Sequence, residues 1–196
     1  MTRSSDVSAD SRDRLRIAQV AARLIALHGI RDWSQAKRKA ARELMLGERE
    51  PMPGDDEVED ALVEYHAIFG GEAHAEQLRG QREEALRWMR RLAAFRPQLT
   101  GGVAAGWATR YSDIRLELEA EDAKLVEIAL LGEDVPYRSL HSDRDGASDL
   151  YIDTPRGGVR LSIGTPEDAR QRPRRKAHGR VVVRLDTAAV AALLDA

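Results

Sequence analysis

The chain has 196 residues with 31 Lys and Arg against 33 Asp and Glu, and its net charge of -2 gives no general pull toward nucleic acid or anionic membrane. The absence of cysteine excludes disulfides and thiolate zinc sites, and no apolar run reaches membrane-spanning length. With 42% apolar and 33% charged residues it reads as a globular, heavily solvated protein that can bury a real core. Arginine outnumbers lysine and alanine is abundant, as a GC-rich bacterial genome would give. The opening MTRSSDVSADSRDR lacks the apolar centre of a signal peptide, so a soluble cytoplasmic protein is the default expectation.

Residues up to about Asp10 are polar and are expected to fray. A first helix follows, with Ile17, Val20, Ala21, Leu24 and Leu27 on one stripe and Gly29 as its stop. Asp32 and Gln35 suit a capping box for a second helix, with Trp33 as an apolar anchor. Ala36, Ala40 and Leu44 line the inner side of that helix, and Gly47 stops it. Its outer side carries Lys37, Arg38, Lys39 and Arg42, read as a solvated face or a nucleic-acid contact. The acidic, turn-rich connector GEREPMPGDDE leads to a third helix with Val58, Leu62, Tyr65 and Phe69, closed by Gly70 and Gly71. A fourth helix runs from about Glu72 to Phe95 with Leu78, Ala85, Met89, Leu92 and Phe95 in register and Trp88 beside them. Arg96-Pro97 breaks it.

After Pro97 the apolar period falls from 3.6 toward 2, which sets a helical region at 1-97 and an α/β domain at 98-196. A short strand near Leu99 precedes GGVAAGWATRYSDIRLEL, residues 101-118. From Ser112 to Ala120 a strand is expected, with Ile114, Leu116 and Leu118 on one face and Asp113, Arg115 and Glu117 on the other. Asp122 caps a helix holding Leu125, Val126, Ala129 and Leu130, ended by Gly132. Val135 to Leu140 reads as a strand and His141 to Ser148 as a polar turn. Leu150 to Thr154 and Val159 to Ile163 form a hairpin. A basic loop, a strand from Arg180 to Leu185 and an alanine-rich helix from Thr187 complete the order.

The 101-118 stretch resembles the signature of the nucleotidyltransferase superfamily related to DNA polymerase β, in particular its small bacterial members. Gly101, Ala104, Gly106, Ala108, Ser112, Asp113, Ile114 and Leu116 match that pattern without gaps. Gly102 stands where the family has a serine, and Arg115 where it has the second aspartate. The resemblance implies a fold of class α+β, an N-terminal helical bundle packed on a C-terminal mixed-sheet domain of nucleotidyltransferase type. It also implies that Gly101, Gly102 and Ser112 shape a phosphate turn, and that Asp113 is the surviving ligand of a magnesium site. Gly102 keeps the close backbone approach but supplies no hydroxyl. Arg115 cannot deprotonate to become a metal ligand, so an Asp113–Arg115 ion pair is expected to stand in for the cation. The family's third carboxylate falls to Asp153, or is replaced by Arg160; Asp153 also reads as a plain turn residue before Pro155.

Three functions follow as expectations. The preferred one is a degenerate, non-catalytic nucleotidyltransferase-like protein with a nucleotide or phosphate ligand. The second is a working enzyme that would need magnesium and would use Asp113, Glu117 and Asp153. The third is a nucleic-acid-binding or protein-interaction module, with RNA or a protein as partner and no membrane, using the helical half or the basic loop. In that loop Arg170, Arg172, Arg174, Arg175, Lys176 and Arg180 are suited to gripping phosphate. Residues 21-45 also resemble the opening of a tetracycline-repressor-type DNA-binding domain. The acidic connector follows where that family's recognition helix should stand, which weighs against it. None of the five histidines pairs with another at metal-ligand spacing, and no nucleophile elbow or Walker-type loop occurs.

Overall fold

A computed structural model describes residues 3–47, 51–140, 148–171 and 181–195, with side chains from residue 10 onward. It is mixed α+β, helical in its N-terminal part and carrying a sheet in its C-terminal part. By packing the chain divides into two units. One holds residues Met1–Ala75 with Thr109–Tyr111, the other Glu76–Ala108 with Ser112–Ala196. No described helix is long and apolar enough to cross a membrane.

In the first unit α1 (Arg3–His28) packs against α2 (Trp33–Glu43) and α3 (Asp55–Phe69). The helix starts at Arg3 rather than after Asp10. Its buried stripe is Ile17, Ala18, Ala21, Ala22, Leu24 and Ile25, while Leu27, expected inside, is half exposed. Facing it are Ala36, Ala40 and Ala41 of α2 and Val58, Ala61 and Leu62 of α3. Gly29 takes φ +66, and a Cβ there would meet the Tyr111 ring at 2.7 Å, so only glycine closes this turn. Asp32 caps α2 by accepting the Gln35 N–H at 3.1 Å. The helix ends at Glu43, short of Gly47, because the Met45 N–H turns back to the Arg42 carbonyl, the Leu46 N–H to the Ala41 carbonyl, and Met45 adopts φ +58. Arg14 pairs with Glu57 and Arg23 with Glu43 near the surface, whereas Lys37, expected on the outer face of α2, is only 14% exposed and reaches Asp55 and the Pro53 carbonyl. Past the α3 C-cap at Gly70, the His66 and His74 rings stack at 3.7 Å, nearly coplanar. Burial and His74 lower the His66 pKa to about 4.

α4 (Gly71–Arg91) begins in the first unit and runs on as the long helix of the second. It stops at Arg91, earlier than Phe95. A 3-10 turn over Ala93–Phe95 and a left-handed Arg96 at φ +45 take the chain to Pro97. Among the described residues five strands form one sheet in the order β1-β2-β5-β4-β3. These are β1 (Gln98–Thr100), β2 (Ile114–Glu119), β3 (Arg138–Leu140), β4 (Ser148–Ile152) and β5 (Val159–Gly164). β2 and β5 are parallel; the other neighbours are antiparallel. The expected glycine turn contains a five-residue helix, α5 (Gly101–Ala105), ended by Gly106 at φ +89. α6 (Ala123–Leu131) is capped by Asp122 as expected, α7 (Pro166–Gln171) opens the basic segment, and α8 (Thr187–Asp195) closes the chain. The expected strand 180-185 is absent over its described residues, where Leu185 makes only an isolated bridge to Leu99.

The register sorts the sheet into two faces. Leu99, Leu116, Leu161 and Leu150 stand side by side across four strands, all buried, and Met89, Val103 and Leu130 belong to the same core. One residue along, Thr100, Arg115, Arg160, Tyr151 and Arg138 form a row across all five strands. The next row on that face is Gln98, Glu117, Ser162 and Asp149. The period of two has therefore put a leucine seam on one side and a polar face on the other.

Candidate functional site

The polar face carries the signature residues. Asp113 lies just before β2, and its Oδ1 accepts the Tyr151 hydroxyl at 3.2 Å. Tyr151 stands in register with Arg160, and Arg160 with Arg115, so Asp113 and Arg115 look onto one face. The expected ion pair between them is absent: among the described residues Arg115 makes no ion pair, and the Asp113 carboxylate turns to the phenol. Arg115 lies instead against the diglycine. A Cβ added to Gly101 would sit 3.2 Å from Arg115 Cδ and 3.8 Å from Cγ, so the methylene stem crosses the glycine and leaves the guanidinium exposed.

Gly102 is sterically required. A Cβ there would meet Cε3 and Cζ3 of Trp107 at 2.7 Å and the Ala108 Cα at 3.1 Å, so the indole fills the direction a serine side chain would take. The Gly102 carbonyl accepts N–H groups from Gly106, Trp107 and Ala108 at 2.8, 3.0 and 3.1 Å, which folds the indole back. α4 clamps the rest of the loop. Gln77 Nε2 donates to Gln81 Oε1 at 2.7 Å, Gln81 Nε2 to the Ser112 carbonyl at 3.2 Å, and Arg82 Nε to the Val103 carbonyl at 3.3 Å. Burial lowers the Arg82 pKa from its ordinary value, and a guanidinium stays charged regardless. Gln77 and Gln81 are one helical turn apart, and that spacing is the only sequence signal for the clamp.

The other acids are engaged elsewhere. Glu117, 5% exposed, accepts Arg184 Nε at 2.8 Å. Asp149, 4% exposed, takes both Nε and Nη2 of Arg160, Nε at 3.0 Å. Asp153 is exposed past the end of β4, 3.5 Å from Arg138, whose guanidinium also lies over the Tyr151 ring at 4.6 Å. Asp113, Glu117 and Asp153 are thus not gathered, and among the described residues no cluster of three His, Asp or Glu side chains could hold a metal. Magnesium needs several oxygen donors at about 2.1 Å in octahedral array. Around Asp113 the register supplies Arg115 and Arg160 where acidic partners would stand, so the donor set does not fit that ion. Arg172, Arg174, Arg175 and Lys176 lie outside the described residues.

No family model, curated protein or solved structure matches this chain.

Proposed function

We propose that the chain is a degenerate nucleotidyltransferase-like protein that binds a nucleotide or other phosphate ligand on the polar sheet face and performs no metal-dependent transfer. What supports this reading is the seating of Arg115. Its stem rests on Gly101, so its exposed guanidinium is held beside the diglycine at the position of the family's second aspartate. A planar fork with five donors grips phosphate without a divalent ion. Of the other arginines in that row, Arg160 is neutralised by Asp149 and Arg138 faces Asp153, so among the described residues Arg115 is the cation of the row that makes no ion pair.

A thermal shift assay on the full chain with each of the four nucleoside triphosphates tests the reading. A ligand at about ten times its Kd stabilises by about 1.4 kcal/mol, which is about 3–6 °C for a protein of this size. The shift is expected to survive EDTA and to vanish in Arg115→Ala. No shift with any triphosphate would remove the proposal. So would magnesium-dependent label transfer that Asp113→Ala abolishes, since that is the behaviour of a working enzyme.

A further inference from the structure

We infer that the outer face of α2 is a docking surface for duplex DNA. The helix buries Ala36, Ala40 and Ala41, and on its opposite side Gln35, Arg38, Lys39 and Arg42 fall at i, i+3, i+4 and i+7, all exposed. That spacing makes one continuous stripe. Among the described residues Arg38, Lys39 and Arg42 make no ion pair, because the nearby acids are engaged otherwise. Glu43 holds Arg23 at 3.1 Å, Asp32 accepts the Gln35 N–H, and Asp55 holds Lys37 at 2.8 Å. Ser34 and Gln35, exposed in the first turn, add hydrogen-bonding groups at one end of the stripe.

The stripe stands on a packed support. α2 meets α1 through alanines on both sides, and the link between them is four residues closed by Gly29 against the Tyr111 ring. The cations therefore sit on a rod about 10–12 Å across, the width that a DNA major groove of about 12 Å admits. The occupant follows from what the stripe lacks. It has no apolar or aromatic residue, so it offers neither the buried side of a membrane-surface helix nor the anchor that carries a protein–protein contact. Cations and amides alone suit phosphates and base edges. Because the chain carries -2 overall, the attraction is local to this face.

Fluorescence anisotropy of the full chain on a labelled mixed-sequence duplex of about 20 base pairs tests this, with about three phosphates neutralised. Affinity should then fall about 40-fold between about 50 and 200 mM salt. The triple variant Arg38→Gln, Lys39→Gln, Arg42→Gln should bind at least tenfold more weakly with an unchanged melting temperature, and Arg90→Gln, an exposed change on α4, should bind as the parent. Should the triple variant unfold, Arg38→Gln and Arg42→Gln singly should each weaken binding severalfold. Absent binding at low salt, neutralised variants that bind like the parent, tighter binding to single-stranded RNA, or equal binding to polyglutamate would each overturn the inference.

Discussion

Among the described residues the N-terminal helices of the first unit bury no carboxylate, whereas the second unit buries three. Arg14–Glu57 and Arg23–Glu43 bridge exposed or half-exposed side chains over an interior of alanine and aliphatic residues. In the second unit Glu84, Glu117 and Asp149 are buried, and each is satisfied: Glu84 by Trp88 Nε1 and Arg87, Glu117 by Arg184, Asp149 by Arg160. Exposed pairs are worth about 0–1 kcal/mol and tolerate loss. Buried pairs gain little net stability, but removing one partner strands a charge in low dielectric. The buried acids of the second unit are therefore held by their partners, whereas on α2 Arg38, Lys39 and Arg42 stay exposed and among the described residues make no ion pair.

Arg160→Ala should break this contrast most severely. It leaves Asp149 buried without its guanidinium, at a cost near the lower end of about 3–5 kcal/mol, because the Arg160 side chain is itself 28% exposed. Urea titration measures this loss, and in it Arg23→Ala should cost at most about 1 kcal/mol; equal losses would erase the distinction. Gly102→Ser comes next. A serine side chain there is driven into Trp107 and should cost about 1–3 kcal/mol, with Trp107→Ala in the same chain restoring most of it. A serine accepted without loss would show that the indole does not hold this position.

The smallest effect sharpens the helical side. Folding lowers the His66 pKa from 6.5 to about 4, so between those values the unfolded chain binds more protons than the folded one. The stability that neutral His66 contributes is present above about pH 6.5 and is lost as pH falls toward 4. Melting temperature should drop by a few degrees over that window, and His66→Gln should flatten the slope. A slope unchanged in that variant would place the titration elsewhere.

Much of the fold was legible because it rests on local rules. The Asp32 and Asp122 caps, the proline-bounded change of period and the β4–β5 hairpin all follow from side chains acting on their own backbone. α7 was legible too. Thr165 and Asp168 form a reciprocal cap with Pro166 at the first helical position, but the surrounding arginines masked it. The end of α2 was not, because Met45 enters the left-handed region without a glycine to announce it.

Of the candidate site, the sequence by itself determined which side chains share the polar face of β2, since alternation on a pleated strand is a property of the backbone. Only the tertiary structure decided what each of them meets. Asp113 finds Tyr151 thirty-eight residues on, Glu117 finds Arg184 sixty-seven on, and Arg115 lies over Gly101 across the β1–β2 pair. Those partners are chosen by strand register and crossover, which arise from burying leucines across four strands at once rather than from any local signal.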